Sequence, residues 1–161
     1  MKLYQTIDAK QLAEWIDLWQ EQLFRYAFFR IGSREDAEDV VQDAFLKIAA
    51  STTHIANPKA YLFRIVGNKC IDALRQKAKF SPIEERTTTQ TLTNGVEERE
   101  EAERINSLLA NLTEQQSEVI RLHIYANLKF TEIAEMLEQP VTTIKSRFAS
   151  GIEKLRQKFI N

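Results

Sequence analysis

Phe130-Thr131-Glu132-Ile133-Ala134-Glu135-Met136-Leu137, then Gln139-Pro140 and Val141-Thr142-Thr143-Ile144-Lys145-Ser146-Arg147, is the stretch that decides the fold. Ile133, Ala134 and Leu137 recur at i, i+1 and i+4, the spacing of an apolar stripe on a short helix. Gln139-Pro140 breaks that pattern. Pro140 suits the first turn of a second helix, where its missing N–H has no partner to lose. In that second helix Val141, Ile144, Phe148, Ile152, Leu155 and Phe159 follow steps of three and four and gather on one narrow face. Gly151 is expected to weaken the helix. Thr142, Thr143, Ser146, Ala149 and Ser150 lie opposite, flanked by Lys145 and Arg147. Short hydroxyls beside long cations suit base edges below and phosphates on either side. The reading is a helix-turn-helix whose second helix lies on DNA.

Working outward, the chain has 161 residues, enough for one domain or two small ones. Charged residues make up 28% and hydrophobic ones 43%, a globular balance rather than a disordered one. With only 4 Gly and 3 Pro, and few alternating runs, the expected class is all-α. No stretch approaches the ~18 apolar residues of a membrane span, and Met1-Lys2-Leu3-Tyr4 lacks the apolar core of a secretory signal. The expectation is therefore a cytoplasmic protein. A single cysteine, Cys70, reads as a small core residue in a reducing compartment.

The net charge of −1 is poor for a nucleic-acid binder, but its distribution is not. Arg64, Lys69, Arg75, Lys77 and Lys79 face only Asp72 in their stretch, and Lys145, Arg147, Lys154, Arg156 and Lys158 face only Glu153. Acids gather at Glu35–Asp43 and Glu97–Glu103. Local charge sets phosphate affinity. Segregated basic and acidic surfaces imply two kinds of partner.

Helical periodicity predicts a first helix from Asp8 to Ile31 ended by Gly32, and a second from Arg34 to Ala50 behind a Ser33 cap. Asn57-Pro58 starts a third that runs to Lys79. From Phe80 to Glu98 the periodicity is lost. Ser81-Pro82, Thr87-Thr88-Thr89-Gln90-Thr91 and Asn94-Gly95 are turn and tether chemistry. A helix from about Glu97 to Asn111 follows, then one capped by Thr113 and carrying Val119, Ile120, Leu122 and His123. The layout is two small helical domains, 1–80 and 101–161, joined by a flexible linker at 81–100, with the helix-turn-helix in the second.

Asp36, Asp39 and Asp43 stand at i, i+3 and i+7, a carboxylate stripe that is either a solvated face or a dock for a basic partner helix. No phosphate loop, nucleophile–base pair or metal set accompanies it, so no catalytic residue, cofactor, metal or small-molecule substrate is expected. On the third helix Arg64, Asn68, Arg75 and Lys79 project within about 60° of one another, with Tyr61 at the edge. An aromatic ring beside cations and an amide suits unstacked bases as well as phosphates.

The order of these motifs carries a resemblance. Asp36-Ala37-Glu38-Asp39-Val40-Val41-Gln42-Asp43-Ala44-Phe45-Leu46-Lys47 resembles the core-polymerase-binding helix of bacterial sigma factors of the extracytoplasmic-function group. Ala60-Tyr61-Leu62-Phe63-Arg64-Ile65-Val66-Gly67-Asn68-Lys69 is similar to the group's −10 melting helix, and Leu109 through Arg147 to its −35-reading domain. The resemblance implies that Asp36, Asp39, Gln42 and Asp43 dock on the clamp of the polymerase large subunit. It implies that the loop His54–Lys59, with Tyr61 and Asn68, opens the −10 duplex and holds a flipped base. It places Thr142, Thr143, Lys145, Ser146, Arg147 and Ser150 in the major groove. The implied partners are core RNA polymerase, promoter DNA and an anti-sigma factor, commonly membrane-anchored in this group. The competing reading is a helix-turn-helix transcriptional regulator with an unrelated helical N-terminal domain, which leaves the acidic and basic front helices unexplained.

Overall fold

A computed structural model describes residues 7–79 and 93–160, and every regular element among them is helical. The N-terminal Met1–Tyr4 stretch and the linker residues 80–92 lie outside the described residues.

The first group of helices is α1 (Ala9–Ile31), α2 (Arg34–Ala49) and α3 (Pro58–Lys79), which pack on one another in all three pairings. Their ends follow from local chemistry. Asp8 accepts the Gln11 N–H at 2.8 Å to start α1, and Gly32 ends it at φ 86°, where a Cβ would be strained. Ser33 Oγ accepts the Asp36 N–H, and Asn57 Oδ1 accepts that of Ala60 at 3.1 Å, with Pro58 at the first helical position. Leu23, Ala27, Ala37, Ala44, Ile48, Leu62, Phe63, Val66 and Cys70 make the shared core. Burying each large aliphatic or aromatic side chain there contributes about 1.5–3 kcal/mol.

The second group is α4 (Thr93–Leu109), α5 (Glu114–Ile120), a π-helical turn at Arg121–Tyr125, α6 (Phe130–Leu137) and α7 (Val141–Ile160). Two expectations shift here. The helix predicted to begin near Glu97 begins at Thr93, so Asn94-Gly95 and the last part of the expected linker are helical backbone, and it ends at Leu109 rather than Asn111. It also lies along α1, and Arg34 Nη2, at the start of α2, stands 3.1 Å from its Glu98 Oε1. Sequence periodicity reports that a face is apolar but not which neighbour covers it.

Thr113 and Gln116 form the reciprocal cap of α5. Val119, Leu122, Leu128, Ile133, Met136 and Ile144 fill the core of the second group. Pro140 sits one residue before α7, its carbonyl accepting from the Thr143 and Ile144 N–H groups, rather than inside the first turn. Phe159, expected on the buried face of α7, is exposed, because α7 outruns the helices it packs on. Gly151 also has a packing role. A Cβ there would lie 3.0 Å from Ile120 Cδ1 and 3.3 Å from Gln116 Cβ, so its absence lets α5 and α7 approach.

Candidate nucleic-acid interface

The carboxylate stripe of α2 faces outward. Asp39, Gln42 and Asp43 are exposed and Asp36 is half-buried beside the Ser33 cap. Lys69 Nζ of α3 stands 4.0 Å from Asp43 Oδ2, a spacing worth little between exposed groups. Next to the stripe is a feature that periodicity did not separate from core. Ile16 and Phe24 of α1 with Val41 and Phe45 of α2 line a shallow groove rimmed by Gln42, and Leu46 is 63% exposed on the same helix. Val41 and Phe45 are themselves buried at the floor of that groove.

On α3, Arg64, Asn68, Arg75 and Lys79 are exposed, and Tyr61 is half-buried at the edge. Ile71 interrupts the stripe at 38% exposure. His54 is an exposed loop residue. Arg75 and Lys79 face solvent, but Arg64 does not stand free. Its Nη1 donates to the Met136 carbonyl at 3.1 Å and lies 3.8 Å from Glu138 Oε2, both at the end of α6. Lys59, at the start of α3, reaches Glu132 Oε2 at 2.8 Å.

The helix-turn-helix is α6 and α7, joined at Glu138, which takes the left-handed conformation at φ 57°. Of the expected groove-facing residues, Thr142, Lys145 and Ser146 are exposed and Thr143 is half-buried. Ser150 is exposed, but its hydroxyl accepts from Gln116 Nε2 at 2.9 Å and donates to the Arg147 carbonyl. Arg147 is half-buried and lines a cleft with Arg64, Asn68 and Glu138. His123, expected in the core, is half-buried at its edge, stacked on Phe130 at 4.1 Å with its Nδ1 donating to the Leu128 carbonyl. Among the described residues no group of three or more His, Cys, Asp or Glu could hold a metal ion. No helix there is long and apolar enough to cross a membrane.

The cluster that sequence reading missed lies between the two groups. Tyr26 and Arg30 of α1 both donate to Glu118 of α5, and Arg30 also reaches Glu114 at 2.6 Å. Burial foremost, then the Glu118 charge, drives the Tyr26 hydroxyl well above its ordinary pKa, so it stays a donor. Gln22 and Arg25 donate to the Ala126 and Tyr125 carbonyls, and the Phe29 and Tyr125 rings lie 4.8 Å apart. A cation at Arg30, four residues after Tyr26 and within an apolar run, was the signal available in the sequence.

Residues 15–80 match the family described as Sigma-70 region 2, and residues 102–155 match Sigma-70, region 4. The chain is similar to the RNA polymerase sigma factor SigV of Bacillus subtilis, 28% identical over 159 residues that cover 97% of this chain and 95% of the relative. It is 31% identical to the ECF RNA polymerase sigma factor SigM of Mycobacterium tuberculosis over 138 residues, 83% of this chain and 69% of that one. Its fold is similar to that of CnrH solved with the cytosolic domain of CnrY, with a TM-score of 0.72, 24% identity and coverage of 94% and 89% of the two chains. A second solved likeness is the sigma factor RpoE of Bartonella quintana with the anti-sigma factor NepR, with a TM-score of 0.63, 22% identity and coverage of 92% and 96%.

Proposed function

The chain belongs to the extracytoplasmic-function group of RNA polymerase sigma factors, and from that membership we propose how its surfaces divide the work. It binds RNA polymerase and directs it to promoters for initiation. In the proposed division, residues 1–80 dock on the polymerase and melt the −10 element, residues 101–161 read the −35 element, and 81–100 connect them. The part is non-catalytic and cytoplasmic: the enzyme it joins does the chemistry.

The observation that carries this division is the outward carboxylate edge of α2 set against an apolar groove, on a domain distinct from the helix-turn-helix. Asp36, Asp39, Gln42 and Asp43 take the polymerase. Tyr61, Arg64, Asn68, Arg75 and Lys79 take the −10 strand, where cations offset part of the few kcal/mol that unstacking a base costs. Thr142, Thr143, Lys145, Ser146, Arg147 and Ser150 take the −35 groove, with Thr142, Lys145 and Ser146 foremost by exposure. CnrH and RpoE, of like fold, were each solved with a partner, CnrY and NepR. An anti-sigma partner for this chain belongs to the same reading.

Co-elution with core polymerase is the test. The wild-type chain should run with the enzyme on gel filtration, and Asp39→Lys with Asp43→Lys should abolish co-elution while leaving helix content and free-DNA affinity unchanged. Unimpaired assembly of the double variant would remove the docking assignment. Failure of the wild type to co-elute would favour a free-standing regulator.

A further inference from the structure

Two side-chain amides touch α7, and a local backbone bond fixes which end of each faces it. Gln116 Oε1 accepts the Thr113 N–H at 3.1 Å, so its Nε2 turns outward and donates to Ser150 Oγ at 2.9 Å. Asn111 Nδ2 donates to the Leu108 carbonyl at 3.1 Å, which leaves its Oδ1 to accept from Lys158 Nζ at 3.2 Å. Both amides lie between the end of α4 and the first turn of α5. They meet α7 at two points about 12 Å apart along its axis. The one hydroxyl hydrogen of Ser150 goes to the Arg147 carbonyl at 3.3 Å. Ser150 therefore offers DNA no donor of its own.

Gly151, the next residue, is buried against α5, where a Cβ would crowd both Ile120 Cδ1 and Gln116 Cβ. The close approach and the Gln116 bond thus depend on each other. Nearer its N-terminus α7 is held by Ile144, which is fully buried. Apolar contact of that kind resists separation but sets no direction. Hydrogen bonds do set one. Ser150 stands in one row with Thr143 and Ser146, at steps of three and four. A tilt of about 10° at Ser150 would carry Thr142, about 12 Å away, through about 2 Å. Hydrogen bonds to base edges hold only over about 2.7–3.2 Å, so such a tilt is enough to lose them.

We propose that Gln116 is a positioning residue for −35 recognition: clasping Ser150 above the slot at Gly151, it sets the seat of α7 on α5, and Ser150 holds the reading helix instead of reading a base. The seat rests on the −35 role assigned to α7 above and narrows it. Thr142, Lys145 and Ser146 read, while Gln116 and Ser150 decide where they point.

The experiment is selection, by holoenzyme reconstituted with core polymerase, from duplexes randomised across the upstream element. The readout is the affinity ratio between the selected duplex and scrambled ones. Ser150→Ala should lower that ratio about fivefold, the factor one net hydrogen bond contributes, and blur preference across the whole element. Gln116→Ala should do the same, and the double variant should lose no more than either single one, because the two residues act as a unit. Ser150→Thr, which keeps the hydroxyl, should restore the ratio. A loss of stability alone would weaken binding to every duplex alike and leave the ratio unchanged. Should Gln116→Ala lose helix content, Gln116→Glu keeps the acceptor for Thr113, brings no donor to Ser150, and should behave as Ser150→Ala does. Preference lost at a single base in Ser150→Ala, with Gln116→Ala unaffected, would make Ser150 a direct reader and overturn the seat. An undiminished ratio in either single variant would overturn it too. Wild-type holoenzyme that selects no upstream element would sink the −35 reading, and the seat with it, before any variant is made.

Discussion

Lys59 Nζ lies 2.8 Å from Glu132 Oε2, joining the first turn of α3 to the first turn of α6 across the two domains. Glu132 Oε1 also accepts the Lys129 N–H at 2.8 Å. Burial by itself would raise the Glu132 pKa, but the hydrogen bonds from Lys59 and Lys129, with their charges, hold it below its ordinary value. A carboxyl depressed in the folded state contributes stability above its unfolded pKa, about 4.3, and loses it as pH falls through the lower folded value. Glu132→Gln keeps an acceptor for Lys129 and removes the charge. Urea unfolding should therefore show wild type ahead of this variant from about pH 8 to 5, with the gap closing below about pH 4. A gap that persists undiminished at about pH 3 would mean the ion pair is not its source.

Glu138 takes φ 57° at the turn of the helix-turn-helix, where a side chain costs about 1–2 kcal/mol. Glycine there escapes most of that strain and gives back part of it as unfolded-chain entropy. Its 3.8 Å approach to Arg64 is between exposed groups and contributes little. Glu138→Gly should raise Tm by about 2 °C in a thermal scan. A fall in Tm would show that the Arg64 contact outweighs the strain.

Cys70 is fully buried in the first domain, and burial foremost pushes its thiol up to about 12. A neutral, inaccessible thiol does not attack disulfide reagents. The native chain should leave such a reagent untouched at pH 8 and react stoichiometrically in guanidinium. Rapid labelling of the native protein would show that α3 opens locally.

Lys145 is exposed at the flank of the α7 groove face. Each phosphate neutralised adds about 0.9 to the slope of log affinity against log salt. Lys145→Ala should flatten the salt slope of holoenzyme–promoter binding by about that amount, and Lys154→Ala, about two and a half turns farther along and so on the opposite side of α7, serves as the comparison. An unchanged slope for Lys145→Ala removes it from the phosphate contacts.

Much of this molecule is legible in its residues because the governing interactions are local. Gly32, Ser33, Asn57-Pro58 and Thr113 announce helix ends through bonds that span three or four residues, and the structure places those ends where they point. The stripe Ala37, Val40, Val41, Ala44, Phe45 and Ile48 is buried throughout, since a face that is apolar at helical spacing has one side to hide. The start of α4 is not legible in the residues, because Asn94-Gly95 are turn formers by propensity and yet stand within its helical backbone.

Chain order and periodicity alone determine two helical groups, an acidic edge, a basic helix and a helix-turn-helix. They leave open which cations are free. That Arg64 is spent on Met136, that Lys59 is paired with Glu132, and that Gly67 exists for the ring of Tyr26 depend on residues far apart in the chain meeting at one seam. Such encounters leave no period in the sequence, because they are set by how whole helices pack and not by spacing along any one of them. Tertiary packing alone decided that Lys59 and Arg64 of α3 are taken up by groups of α6.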